Sequence, residues 1–269
     1  MSKPEFNPFN PEFRAHPYPF YDALRTHEPV HTTEFGMVVL TRYEDVSTTL
    51  KSADFSRDIE RYSTQATSAA RQRRRDMQRE RTKSILNLDP PDHTRLRRIV
   101  SKSFTPSAME KLRGRIQQLV DTVLDAAQDR GSIELIDDLA FPVPFQVISD
   151  LLAMPTERAE EMREWSQIIT NSLEPTATDE ELAQSDAAIE QLVPYLTSII
   201  EDRRKNLGDD MLSSLITAEE AGDKMTTDEL MAFLVLLYIA GHETTVNLIG
   251  NSTLALLRHP EQAAIVHQH

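Results

Sequence analysis

The chain has 269 residues, 39% of them hydrophobic and 27% charged, with a formal net charge of −14. That composition suits a globular protein with a sizeable core, and the acidic balance argues against non-specific nucleic-acid binding. There is no cysteine, which excludes disulfides, thiolate zinc sites and a cysteine nucleophile within these residues.

The polar, proline-rich start MSKPEFNPFN has no signal-peptide character, and a cytosolic protein is expected. Pro4, Pro8 and Pro11 predict an extended arm over residues 1–16. A short helix fits Tyr18 to Thr26. Val30 to Thr41 reads as two strands turning at Glu34-Phe35-Gly36, because Met37-Val38-Val39-Leu40 is strongly β-prone. It is the only hairpin expected: seven glycines against fifteen prolines, with few aromatics, argue against an all-β protein. A helix from about Glu44 to Lys51 follows. The run RQRRRDMQRERTK at 71–83 is basic within an acidic chain, and it reads as a solvated face, a lid or a docking patch.

From Asp89 onward nearly everything reads as helix. Pro90-Pro91 suits a helix start. Thr105-Pro106 opens a helix to about Asp129, with Ile116, Leu119, Val120, Val123 and Leu124 on one stripe and Gly131 as its C′ residue. Asp137 to Ala153 is expected to be helical, with Pro142 and Pro144 restricting its first part. Thr156 is expected to cap a helix containing Trp165. The break at Pro175-Thr176-Ala177-Thr178 precedes a long helix to about Asn206, and Asp209 starts another. Thr227 begins the longest apolar helix, running to about Arg258 and expected to be buried on all sides. Its most apolar run, Met231 to Ala240, is too short to span a bilayer, so no membrane partner is expected. His259-Pro260 opens a last helix that meets the end of the chain within about three turns, which suggests truncation. The fold class is mainly α with a small N-terminal β portion.

Two constellations carry chemistry. The first is Ala240-Gly241-His242-Glu243-Thr244-Thr245 within the longest helix. Glycine inside a helix costs about 1 kcal/mol relative to alanine. A carboxylate among apolar residues needs a partner, and Thr244 can bond back to the carbonyl of Ala240. Together they predict a locally opened groove with an acid and an alcohol at its edge, or a Gly-kinked core helix with a paired glutamate. A zinc-protease helix is excluded, because H-E-x-x-H needs histidine where Val246 stands. The second constellation is Asp89-Pro90-Pro91-Asp92-His93-Thr94-Arg95-Leu96-Arg97-Arg98. His93 and Arg97 are i, i+4 and share a helix face. There they could hold a pair of carboxylates or make ordinary surface salt bridges.

These two segments, in this order, resemble those of bacterial cytochrome P450 enzymes. Ala240 to Thr245 matches A-G-x-[DE]-T-[ST] in full, and Asp89 to Arg97 matches D-P-P-x-H-x-x-x-R. His16-Pro17-Tyr18-Pro19, Phe104-Thr105-Pro106 and Asp209-Asp210-Met211-Leu212 are further family-like stretches. The resemblance implies a cytochrome P450 fold cut after the central long helix. It would form one incomplete domain over 1–269, with a β-containing part at 1–60 and a helical part at 61–269. It implies a haem b cofactor (iron protoporphyrin IX) and insertion of one oxygen atom from dioxygen into a small apolar substrate. Electrons would come from NAD(P)H through a ferredoxin-type donor.

Carried onto this chain, the resemblance makes His93 and Arg97 the residues that hold the haem propionates. Ala240 and Gly241 would let haem and dioxygen approach the helix backbone, with Glu243 and Thr244 as the acid–alcohol pair that guides protons. Thr245 would bond locally, and His242 would point away into packing. Arg95 and Arg98 would lie on the helix that faces the electron donor. Segments around 60–88, 165–180 and 228–240 would shape the substrate pocket. The family's E-x-x-R pair, the β-rich elements after it and the loop with the iron-ligating cysteine do not occur in the 269 residues. The chain alone is therefore expected to lack monooxygenase activity, the alternative being a truncated, non-catalytic helical protein that binds haem or a partner.

Overall fold

A computed structural model describes residues 5–34, 36–58, 83–155, 157–174, 176–220 and 225–268. Asn10 caps α1 (Pro11–Ala15) by accepting from the Glu12 amide at 2.8 Å, and Pro17 opens α2 (Pro17–His27). Phe13 sits edge-on to Phe6 and Tyr21 at 5.2 and 5.5 Å, which closes a small aromatic cluster under these helices. β1 (Val30–Thr32) and β2 (Val38–Leu40) then pair antiparallel with His31 opposite Val39. The turn between them uses Gly36 at φ +76, a conformation that costs glycine little. Thr33 fixes its register by accepting from the Met37 amide through its hydroxyl at 3.0 Å. α3 (Tyr43–Lys51) follows. The expected hairpin and the helices expected at Tyr18–Thr26 and Glu44–Lys51 are therefore present. The arm expected to be extended over 1–16 is instead helical at Pro11–Ala15, because Pro11 stands in the first turn, where no amide hydrogen is needed. The basic run at 71–82 and the part boundary at 60/61 lie outside the described residues.

After a short 3-10 turn (Ile85–Asn87) comes α4 (Asp92–Ser101), which starts directly after Pro91. α5 (Pro106–Arg130) ends at Gly131, φ +73, the left-handed residue expected there. Its apolar stripe is only partly covered, since Ile116 and Leu124 keep 37% and 47% of their surface exposed. The helix expected from Asp137 to Ala153 is divided. A π-helical turn (Leu135–Ala140) meets α6 (Pro142–Leu151) at Phe141. The prolines occupy the first turn of α6, where no amide hydrogen is needed.

α7 (Ala159–Asn171) carries Trp165 but begins after Arg158, with no side-chain cap; Thr156 lies outside the described residues. Thr178 and Glu181 form a reciprocal capping box for α8 (Asp179–Lys205). For α9 (Met211–Glu220) the capping carboxylate is Asp210, which accepts from the Ser213 amide at 2.8 Å, rather than the expected Asp209. α10 (Thr227–Arg258) has the expected bounds, and α11 (Pro260–Val266) follows it.

The core lies where α10 packs against α6, α7, α8 and α9. Leu230, Leu234, Tyr238, Leu192, Leu215 and Met162 are each exposed by 1% or less. α10 is not buried on all sides: Ala240, Thr244, Asn247, Leu248 and Asn251 lie on an exposed strip. The whole helix is long and apolar enough, by length and composition alone, to cross a membrane, so the shorter run Met231–Ala240 understated it. Here one side of that apolarity is used to pack the four neighbouring helices.

Candidate active site

The residues of both sequence constellations sit on two helices that one ion pair joins. α10 is capped reciprocally. The Thr226 hydroxyl accepts from the Glu229 amide at 3.1 Å, and Glu229 Oε2 accepts from the Thr226 amide at 2.7 Å. The same carboxylate receives the guanidinium of Arg95 from α4, with Arg95 Nη2 on Oε1 and Nη1 at 3.4 Å from Oε2. Burial pushes the Glu229 carboxyl up. The Arg95 hydrogen bond, the Thr226 amide and the Arg95 charge outweigh it and hold the group below the usual carboxylate range. Arg95 is thus engaged within the chain, although its side chain keeps 29% of its surface exposed. Arg98 remains exposed.

His93 and Arg97 stand on another face of α4, His93 half-buried and Arg97 exposed. Neither side chain has a hydrogen-bond or ion-pair partner among the described residues. Their helix is fixed from behind: the His93 amide donates to Asp89 O at 3.1 Å, and the Asp89 carboxylate accepts from the Arg57 amide at 2.8 Å. The helix start is anchored, and neither donor is engaged by a described residue.

The motif on α10 remains α-helical through residues 240–245, so the groove expected there is not made by breaking the helix. What lies open instead is one side of the helix. Successive residues turn by about 100°, which places Ala240 and Thr244 about 160° around the helix from His242, on the open strip. The Thr244 hydroxyl donates to Ala240 O at 3.0 Å, the back-bond expected from the sequence. Thr245 bonds locally too, to Gly241 O at 3.5 Å. Glu243 is half-buried on the flank and accepts from Asn247 Nδ2 at 3.3 Å.

Gly241 sits differently from Ala240. A Cβ on Gly241 would stand 2.7 Å from Ile148 Cδ1 and 3.0 Å from its Cγ1, so this glycine lets α6 approach α10. It does not face the open strip squarely, because adjacent helical residues diverge by about 100°. His242 points into packing, as expected. It is 1% exposed, with its ring edge-on to Phe141 and Phe145 at 5.2 and 5.7 Å.

Ile148, Ser166 and the double use of Glu229 were missed in the sequence. Only Glu229 had a readable signal, the spacing Thr226-x-x-Glu229 of a capping box.

The family model described as Cytochrome P450 matches residues 20–269. Cytochrome P450 107B1 of Saccharopolyspora erythraea is 41% identical over 228 residues, spanning 84% of this chain and 55% of that protein. Vitamin D(3) 25-hydroxylase of Pseudonocardia autotrophica is 37% identical over 262 residues, spanning 96% and 62%. Among solved structures, myxobacterial cytochrome P450 CYP267B1 in complex with myristic acid superposes with a TM-score of 0.84 at 36% identity. That match covers 97% of this chain and 65% of that one. The chain thus spans less than two thirds of the length of these relatives. With the helical architecture, the open strip of α10 and the family motifs in one reading, the chain belongs to the cytochrome P450 family.

Proposed function

We propose that this chain forms the oxygen-facing wall of a haem-dependent monooxygenase, which inserts one oxygen atom from dioxygen into a small apolar substrate. The observation that carries the reading is the strip of α10 on which Ala240 and Thr244 lie open beside Glu243. The wider reading includes haem b as cofactor, a ferredoxin-type electron donor and a cytoplasmic location. The relatives support the substrate class by their names, one a hydroxylase of vitamin D(3) and one a structure holding myristic acid.

The residues suit a haem. A flat apolar macrocycle needs an uncovered helix face with small side chains, and the exposed Ala240 is the small residue of the strip. Its two propionates need donors, and His93 and Arg97 are donors with no partner among the described residues. When bound, the haem supplies an iron centre that binds and activates dioxygen. The 269 residues contain no cysteine, so the thiolate characteristic of such an iron site has to come from outside this stretch.

The chain's own groups would then work as follows. His93 and Arg97 hold the propionates and fix the macrocycle against α4. Thr244 has its hydroxyl proton on Ala240 O, which leaves Oγ1 lone pairs facing the open strip to accept a hydrogen bond there, one link of a proton relay that solvent water would complete. Glu243, half-buried one residue earlier, is the carboxyl that resupplies protons to that relay. Gly241 keeps α10 close to α6, and Thr245 holds its own turn.

A second reading is a non-catalytic helical protein that binds haem or a partner. One experiment separates the two: the protein is isolated from its native cells, reduced under carbon monoxide, and its intact mass determined. A thiolate-type Soret band, with a mass above that of 269 residues, is the result expected for the monooxygenase. Haem held by the 269-residue chain without that band would establish the second reading and end the first.

A further inference from the structure

His242 and Ser166 are a deeply buried polar pair, 1% and 0% exposed, and they join α10 to α7. Their bond, Ser166 Oγ to His242 Nε2 at 3.0 Å, is the one side-chain hydrogen bond between these two helices among the described residues. On the other side of the ring, Nδ1 lies 2.7 Å from the carbonyl of Tyr238. A carbonyl can only accept, so Nδ1 carries the proton. A neutral imidazole then has a bare Nε2 that must accept. Burial supports the neutral form by pushing the ring's titration down, against the opposing pull of the Tyr238 carbonyl and Glu243. Ser166 has one hydroxyl proton and two acceptors in reach, His242 Nε2 at 3.0 Å and Arg163 O at 3.3 Å. The nearer, otherwise unpaired imidazole nitrogen takes it.

The direction of this contact matters for the site. His242 lies about 160° around α10 from both Ala240 and Thr244. A bond that fixes the back of the helix to α7 therefore fixes which way the front points. Apolar packing resists separation of two helices but is non-directional. A buried hydrogen bond at a defined distance sets rotation, and leaving it unmade is costly.

We propose that His242 is a positioning residue, held as the Nδ1–H tautomer by Tyr238. Through Ser166 it sets the rotation of α10 that aims Ala240 and Thr244 into the open strip. The inference deepens the proposed function but stands on contacts within the chain, so it can be tested without turnover.

The first arm needs no variant. Nitrogen-15 NMR of histidine-labelled wild-type protein should give His242 a protonated Nδ1 and an unprotonated, hydrogen-bond-accepting Nε2. A protonated Nε2 with a bare Nδ1 would overturn the proposal. The second arm is Ser166→Ala, read by hydrogen exchange. Amides of residues 240–246 should exchange at least tenfold faster, while those of α5 keep wild-type rates. Uniform acceleration across the chain, or no change at 240–246, would show a merely structural pair and overturn it. Ser166→Thr, which retains the hydroxyl, should restore the slow exchange. If the haem reading fails, these outcomes are unaffected; if they fail, the haem reading survives without His242.

Discussion

The Glu229 carboxylate closes the N-terminal cap of α10 and binds the guanidinium of Arg95, so the helix with the family's first motif is tied to the helix with its second. Both partners are mostly covered, with side chains 29% and 14% exposed, which lifts the pair above the usual surface salt bridge. Glu229→Gln keeps an oxygen for the Thr226 amide but removes the charge, and should cost about 1–2 kcal/mol at neutral pH. The Glu229 carboxyl is depressed in the folded state. Its contribution is therefore complete above the ordinary carboxylate range and is lost as pH falls through the lowered folded value. Urea midpoints of wild type and variant should differ at neutral pH and converge in acid. A difference that stays constant with pH would remove the charge from the explanation.

Gly241 and Ile148 should be coupled. Gly241→Ala gains about 1 kcal/mol of helix propensity and suffers an overpacking penalty of about 1–3 kcal/mol against Ile148. The net effect expected is a mild loss of stability. In an Ile148→Val background, which removes the Cδ1 atom 2.7 Å from the new methyl, the same substitution should become neutral or stabilising. Chemical denaturation of the four proteins of the cycle measures the coupling, and strictly additive effects would contradict this contact.

His242 should make stability fall in mildly acidic solution. Its ring titrates below the ordinary histidine range because it is buried, with Tyr238 O, Ser166 and Glu243 around it and Arg163 nearby over Phe141. Above the ordinary value, folded and unfolded chains are both neutral there and no pH dependence arises. Below it the unfolded chain takes up a proton first, so stability is lost as pH falls toward the lowered folded value. His242→Gln cannot take up that proton. The wild-type advantage over the variant in thermal melts should shrink on acidification, and an advantage that grows would reverse the assignment.

Much of this was legible because the signals were local. The bounds of α10 follow from Thr226-x-x-Glu229 at one end and His259-Pro260 at the other, and Gly131 marks the end of α5 by its backbone alone. What was not legible depends on distant partners. Ser166 lies 76 positions from His242, and nothing in the neighbouring Trp165 or Gln167 announces the bond. The one-sided burial of α10 also escaped prediction, because an apolar composition states what can be buried, while the packed neighbours decide which side is. The pairing of Arg95 was hidden for the same reason: its carboxylate comes from another helix, far along the chain.

Ala240→Leu tests the open strip directly. The position is exposed and helical, so stability should change by no more than about 0.5 kcal/mol, measured by thermal melting. Haem affinity should fall at least tenfold, because the added side chain projects from the face proposed to meet the macrocycle. Unchanged affinity would place the haem elsewhere.

The haem site is tested most directly by a haem titration of the wild-type chain beside His93→Ala/Arg97→Ala, followed by Soret absorbance and by quenching of Trp165. Neither side chain has a partner among the described residues, so the melting curve without haem should not move. Affinity should drop at least tenfold, since one charge-assisted hydrogen bond contributes about 1.5–3 kcal/mol. Equal affinity in the double variant would contradict the claim that α4 and the open strip of α10 hold the haem between them.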